Sequence, residues 1–501
     1  MNSADISHRP EPLRSQIRSV FDLRPIALVT GVLLVMLGAA MAIPALVDLG
    51  SNHPNWSVFF AASLTTMATG ALLFLATRGT GGKLSGRQAF LMTVIVWVTL
   101  SAFGALPFLW SGLVPGFTDA FFESISGLTT TGATVMSGLD TMPPGILIWR
   151  GILQWLGGLG IIVMAVSVLP MLQIGGMQLF KVEAFETPEK ILPRATQISG
   201  FITLIFLNLT GLCFLAYLFA GMNLLDATVH AMTTVATGGF SNHDLSLGYF
   251  DNPRIDMIAT VFMIIGSLPF LLYVQALQGK FGPLWTDGQV RAFFLTLAAL
   301  ILLAWIIEET QGIRVGADAL RFAMVNITSI LTGTGYATTA YDGWGPVAVA
   351  LFFFVMFIGG CAGSTSCGIK IFRFQVLFQN VRQHIARVLY PHGVFTQKFN
   401  GRPISDDVTS AVLSFFFLYL LTFAVSAGLL SLTGLDPLTA LSGAGSAISN
   451  VGPGLGALIG PSGNYQMLPD AAKWILSVTM LLGRLELFTV LVLLSPRFWR
   501  V

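Results

Sequence analysis

Four short runs place glycine among small or hydroxyl-bearing residues: Thr130-Thr131-Gly132-Ala133-Thr134, Ala236-Thr237-Gly238-Gly239-Phe240, Gly333-Thr334-Gly335-Tyr336-Ala337 and Asn450-Val451-Gly452-Pro453-Gly454. The glycines read as central, Gly132, Gly238, Gly335 and Gly452, are 106, 97 and 117 residues apart. Glycine reaches positive φ without a Cβ clash, so successive carbonyls of such a turn can face one axis. Four turns around that axis would build rings of oxygens that replace the hydration shell of a cation. Hydroxyls of Thr130, Thr131, Thr237 and Thr334 can supplement them. Upstream of each turn stands an Asp followed by Ala or Pro: Asp119, Asp226, Asp318 and Asp436. These acids are expected to cap short helices whose negative ends point inward, and to concentrate cations at the mouth.

Irregular backbone at membrane depth survives only when it is buried in protein or lines a water-filled cavity. The rest of the chain supplies that setting. Hydrophobic residues make up 54% and charged residues 10%, less than half the charge of a soluble domain. Ten windows are long and apolar enough to span: 25–47, 55–77, 88–113, 151–180, 196–222, 257–279, 291–307, 344–372, 408–433 and 473–496. A span needs about 20 such residues. The intervening segments 114–150, 223–256, 308–343 and 434–472 each fit a short helix and a return loop. The prediction is an all-α membrane protein of ten transmembrane helices. A tail (1–24) and a two-helix extension (25–80) precede four helix–pore-helix–helix repeats, at 81–194, 195–285, 286–402 and 403–501.

Basic residues mark one side of the membrane. They gather in the N-terminal tail, at Arg78, Lys83 and Arg87, at Lys181, Lys190 and Arg194, through 370–402, and at Arg497 and Arg500. Both termini are therefore expected in the cytoplasm. The polar first 24 residues and the long apolar run after them fit a first span, not a cleaved leader. A net charge of +2 and the lack of basic runs with interleaved aromatics argue against a nucleic-acid partner. Cys213, Cys361 and Cys367 form no disulfide framework or metal motif. No nucleophile–base set appears, so an enzyme is not expected. His230 reads as a packing or hydrogen-bonding residue.

The runs Ser126–Thr134, Thr233–Ser241, Thr332–Tyr336 and Ser449–Gly456 together resemble the Trk/Ktr/HKT superfamily of potassium transporters, with the bacterial TrkH-type subunits, TrkI-like members included, the nearest. The two extra N-terminal spans favour that type. The resemblance implies potassium uptake across a bacterial inner membrane, with K+ held by Thr130, Thr131, Gly132, Thr237, Gly238, Thr334, Gly335, Asn450, Val451 and Gly452. Glycine in all four turns goes with potassium in the family; sodium permeation or coupling stays open. The resemblance also implies a homodimer in membrane lipid and a cytosolic TrkA-like nucleotide-binding regulatory subunit.

Two further features fall beneath the turns. The run Gly359-Gly360-Cys361-Ala362-Gly363-Ser364-Thr365-Ser366-Cys367-Gly368 lies inside the eighth window. Glycine costs about 1 kcal/mol against Ala in a helix, so local unwinding is expected. The resemblance makes this run the family's gating loop, while close helix packing is the other reading. The family carries more glycine where Ser366 and Cys367 stand. Lys370 and Arg373 follow, read as cytoplasmic anchors or as an answer to charge in the pore. Arg484 lies in the last window, two residues before Glu486. An intramembrane charge is a functional candidate, and the resemblance places this Arg in the pore below the filter. Residues two apart lie on different helix faces, so Glu486 is an unpromising partner for it.

Overall fold

A computed structural model describes residues 22–79, 85–167 and 191–500. The N-terminal arginines Arg9, Arg14 and Arg18, Lys83, the end of the fourth window, Lys181 and Lys190 lie outside these residues.

The described chain is helical apart from a two-stranded ribbon, β1 (Lys398–Phe399) and β2 (Arg402–Pro403). Helices α1 (Arg24–Gly50) and α2 (Trp56–Thr77) form the N-terminal pair. They touch backbone to backbone: a Cβ on Gly31 would lie 2.8 Å from the Gly70 carbonyl oxygen, and one on Gly70 2.7 Å from that of Gly31. Small residues permit this approach where lipid offers no hydrophobic drive between helices.

Then follow α3 (Gly86–Gly104), α4 (Leu106–Trp110), α5 (Phe117–Leu128), α6 (Pro144–Ser167), α7 (Ile191–Phe219) and α8 (Leu224–Val235). Next come α9 (Pro253–Gly266), α10 (Phe270–Leu277), α11 (Gly282–Thr286), α12 (Gly288–Thr310), α13 (Gly316–Leu331) and α14 (Pro346–Val355). The last are α15 (Ile371–Leu389), α16 (Asp406–Leu432), α17 (Pro437–Ser449), α18 (Asp470–Arg484), α19 (Phe488–Leu494) and α20 (Pro496–Trp499).

The ten windows do not all become unbroken spans. Among the described residues, seven helices are long and apolar enough to cross. Two further windows are helix pairs bent at a break: α9 to α10 by 88° and α18 to α19 by 114°. The window 344–372 holds only the ten-residue α14 before the chain leaves the helix. Each break has a local cause. Pro269 cannot continue α9, and Glu486 and Leu487 take φ of 61° and 49°, outside the helical region.

Helices α5, α8, α13 and α17 have 12, 12, 16 and 13 residues. At 1.5 Å per residue none crosses a hydrocarbon layer of about 30 Å. Each is buried along nearly its whole inner length and delivers the chain to one glycine turn.

Candidate functional site

The four turns share one backbone pattern. The amides of Thr130, Thr237, Gly333 and Asn450 donate to the carbonyls of Gly127, Thr234, Ile330 and Ala447. The next amides, of Thr131, Gly238, Thr334 and Val451, donate to Ser126, Thr233, Ser329 and Ser446 at 2.8–3.0 Å. The first residue of each trio has positive φ, between 50° and 72°, and so does the third: Gly132 84°, Gly239 76°, Gly335 85° and Gly452 106°.

This pattern corrects the register of the second turn. Gly239, not Gly238, matches Gly132, Gly335 and Gly452. Gly238 matches Thr131, Thr334 and Val451. Two adjacent glycines left the choice open in the sequence; the hydrogen bonds close it.

The turns also abut in cyclic order. A Cβ on Gly132 would fall on the Gly238 carbonyl oxygen, one on Gly239 on that of Thr334, and one on Gly335 on that of Val451. One on Gly452 would lie 2.7 Å from the Thr131 carbonyl oxygen. Each turn thus presses on the next and the fourth returns to the first. Glycine is required at all four places, because any side chain would displace a neighbouring carbonyl.

On one side the ring opens into a cavity of about 280 Å³, lined by these four glycines, His243, Asp244 and residues 459–465. On the other lies a cavity of about 30 Å³, lined by Gly363, Ser364, Ser366, Cys367, Gly368, Lys370, Asn450 and Arg484.

Most turn side chains brace the backbone. Thr131 Oγ1 lies 2.8 Å from Thr129 Oγ1, and Thr334 Oγ1 lies 2.7 Å from Thr332 Oγ1. Asn450 donates from Nδ2 to Thr131 Oγ1 at 2.9 Å and to the Met480 carbonyl at 2.8 Å. Thr237 Oγ1 donates to the Ala236 carbonyl at 2.8 Å. Thr130 Oγ1 faces Cys367 Sγ at 3.6 Å.

A brace that sequence reading missed is Glu123–Arg150, buried behind the first and second turns. Arg150 Nε donates to Glu123 at 2.8 Å and Nη1 to the Ser241 carbonyl at 2.6 Å. Glu123 also accepts from Val135 N at 2.9 Å. The signal was a second acid, past the first turn of a short helix otherwise apolar and hydroxyl-bearing beyond Asp119, together with an Arg at the edge of an apolar window.

Of the four expected capping acids, only Asp436 caps, accepting from Thr439 N at 3.1 Å. The N-caps of α5, α8 and α13 are Gly116, Asn223 and Val315, and Asp119, Asp226 and Asp318 sit in the first turns. Nor do all four acids stand free at the mouth. Asp119 is buried against Lys473 Nζ at 2.6 Å. Asp226 accepts from Asn242 Nδ2 at 2.8 Å and meets His243 Nε2 at 3.1 Å. His243 Nδ1 lies 2.5 Å from Asp140 Oδ1, and its ring stacks on Tyr249. Burial alone would push the imidazole pKa down; the bonds to the two carboxylates outweigh it and hold the pKa above the usual value. His230 is a hydrogen-bonding core residue, with Nδ1 2.9 Å from the Asp226 carbonyl and Nε2 3.0 Å from Ser241 Oγ.

Unwinding after α14 is observed. Residues 356–370 lie outside any helix and hang beneath the turns. Gly359 N donates to Ile369 O at 2.8 Å, closing the run on itself, and Gly363 and Gly368 take positive φ. A Cβ on Gly360 would lie 2.8 Å from Ser366 Oγ. Ser364 Oγ donates to the Cys361 carbonyl at 2.6 Å. The run reaches up to the short helices. Ser366 Oγ donates to Thr332 O at 2.7 Å, Thr365 Oγ1 to Val235 O at 3.2 Å, and Gly368 N to Ser449 O at 2.9 Å.

Neither cation after the run is an exposed anchor. Lys370 Nζ turns back to the Ser366 carbonyl. Arg373 is fully buried, paired with Glu486 and laid 3.7 Å over the Phe415 ring. Glu486 is therefore committed elsewhere, and Arg484 points at the loop. Its Nη1 lies 2.7 Å from Cys367 Sγ and 3.4 Å from Thr365 O, while Nε and Nη2 have no hydrogen-bond partner among the described residues.

The chain is similar to known proteins over nearly its whole length. The family described as "TrkH: Cation transport protein" matches residues 55–501. The chain is 44% identical over 477 residues to the Trk system potassium uptake protein TrkI of Halomonas elongata, covering 95% of this chain and 97% of that one. It is 38% identical to the Trk system potassium uptake protein TrkH of Escherichia coli K12, covering 95% and 99%. The crystal structure of the potassium transporter TrkH from Vibrio parahaemolyticus superposes with a TM-score of 0.89 at 38% identity, covering 96% of this chain and all of that one. These relatives are transporters, and a helical membrane chain matched over nearly its whole length belongs to the TrkH family of cation transport proteins.

Proposed function

We propose that the chain takes up potassium through the ring of four turns. The observation that carries this reading is the cyclic contact of Gly132, Gly239, Gly335 and Gly452 with the carbonyls of Gly238, Thr334, Val451 and Thr131. Such a ring offers backbone oxygens to a dehydrated cation at the inner ends of four short helices, whose dipoles favour positive charge. The four helix–turn units act as pseudosymmetric repeats around one pore, outside the α1–α2 pair. The ion contacts are backbone oxygens of the trios 130–132, 237–239, 333–335 and 450–452, with most side chains serving as braces.

The run Gly359–Gly368 closes the path below the ring, and Arg484 places a tethered positive charge there. The protein works in a bacterial inner membrane with both termini in the cytoplasm, as a homodimer. A TrkA-like nucleotide-binding subunit regulates it from the cytosol, and the basic cytoplasmic segments offer the docking surface.

The test is rubidium and sodium uptake in a bacterial strain stripped of its own potassium systems. Rubidium uptake well above sodium uptake is expected. Equal uptake of both would replace the potassium reading with a sodium-permeable one.

A further inference from the structure

The second turn is built unlike the others. At the middle position, turns one and three carry Thr131 and Thr334, each tied to the threonine two residues earlier. Turn four carries Val451, buried in an apolar cluster. Turn two carries Gly238, which has no side chain to hold it and is followed by a second glycine. Two adjacent glycines make this the softest of the four backbones.

The space a side chain of Gly238 would fill is already occupied. A Cβ there would fall on the carboxamide of Gln154. Gln154 is fully buried and comes from α6. Its Nε2 donates to the Gly238 carbonyl at 2.5 Å, and its Oε1 accepts from Phe240 N at 3.0 Å. One amide thus grips the turn on both sides of Gly239. The Gly238 carbonyl it holds is the oxygen that Gly132 of the first turn presses against.

Helix α6 can deliver this side chain because it is wedged against two short helices. A Cβ on Gly157 would fall on the Leu128 carbonyl, and one on Gly158 would lie 2.8 Å from the Ala236 Cβ. Gln154 is thereby placed between turns one and two.

We propose that Gln154 is a specificity-determining positioning residue: its carboxamide serves as the detached side chain of Gly238 and holds the second turn in register with the other three. This rests on the reading of the turns as a potassium filter. A buried amide whose partners are both backbone groups of one turn fixes that turn's shape, and a bond left unmade there shifts the oxygens the ion meets.

The experiment uses the full chain in proteoliposomes and measures rubidium and sodium flux. Gln154→Glu keeps the shape and the acceptor but loses the donor toward Gly238. The rubidium-to-sodium ratio is expected to fall about tenfold, the scale of one buried hydrogen bond left unmade, with sodium flux maintained or raised. If that variant does not reach the membrane, Gln154→Met takes its place with the same expectation. Gly238→Thr alone displaces Gln154 and lowers the ratio. In the double variant Gln154→Ala/Gly238→Thr the threonine takes the emptied space, as in turns one and three, and recovers part of the ratio lost in Gln154→Ala.

An unchanged ratio in the single Gln154 variants, or a double variant no better than Gln154→Ala, overturns the proposal. A wild-type protein with no rubidium preference removes the filter reading itself. A selective wild type with equally selective variants removes only the role of Gln154.

Discussion

Substituting serine for each of the three glycines around the first and second turns tests the register. In Gly239→Ser two costs combine. The position has φ of 76°, and a residue with a Cβ pays about 1–2 kcal/mol in that region. The new Cβ also falls on the Thr334 carbonyl oxygen, which is backbone and must move as a whole. Gly132→Ser repeats both terms, with φ of 84° and the Gly238 carbonyl as the obstacle. Gly238→Ser differs: its φ is not positive, and its Cβ meets a side chain, that of Gln154. Each 1.4 kcal/mol lost from ion discrimination is a factor of ten. Gly132→Ser and Gly239→Ser should therefore each lower the rubidium-to-sodium flux ratio at least about tenfold, and Gly238→Ser less. Flux ratios in proteoliposomes, on protein matched for membrane yield, read this directly. If Gly238→Ser is more damaging than Gly239→Ser, or Gly132→Ser leaves the ratio unchanged, the register and the steric reasoning are both wrong.

Three other outcomes follow from the same geometry. Deleting Gly363–Gly368 should raise resting rubidium flux, since the obstruction below the turns shortens; lower or equal flux in well-folded protein would assign the run to packing. His243 bridges Asp140 and Asp226 with its pKa raised. Its stabilisation is thus fully present below the ordinary imidazole value of about 6.5 and is lost as pH rises through the higher folded value. Melting temperature should fall across that window in wild type and stay flat in His243→Gln, and parallel curves would refute the bridge. Arg484→Ala should raise conducted current or alter ion affinity while the protein still reaches the membrane. Loss of the protein from the membrane, with Arg484→Lys restoring it at unchanged transport, would make the residue structural.

How legible all this was in the sequence depends on the kind of interaction. Long charge-free windows and glycine turns are local signals, and they located the membrane helices and the four turns. Hydropathy does not register a helix break, so window 257–279 read as continuous although Pro269 interrupts it; the glycine run inside 344–372 signalled its own unwinding, and Arg484 and Glu486 marked the interruption of 473–496. The Asp pattern was real but its capping role holds only for Asp436, because a cap is set by which residue leaves the helix. Asn223 and Gly116 precede their acids and take that place. Lys370 and Arg373 looked like cytoplasmic anchors because a sequence shows charge but not its partner. Arg373 has Glu486, more than a hundred positions away, and Glu123 has Arg150.

The breaks in the helices and the run beneath the turns are parts of one hydrogen-bond arrangement. Ending α9 at Gly266 strands carbonyls that a continuous helix would have used. Thr365 N takes the Gly266 carbonyl at 3.1 Å and Cys361 N that of Ser267 at 3.0 Å. The same run takes carbonyls at the inner ends of α8, α13 and α17, through Val235, Thr332 and Ser449. A buried carbonyl stripped of its donor costs about 1–3 kcal/mol, so a gate made of this run cannot simply swing away through dry protein. Water must replace its donors as it leaves. The Thr332 and Ser449 carbonyls lie immediately beside Gly333 and Asn450, the first residues of turns three and four, so any opening of such a gate would also change what holds those turns.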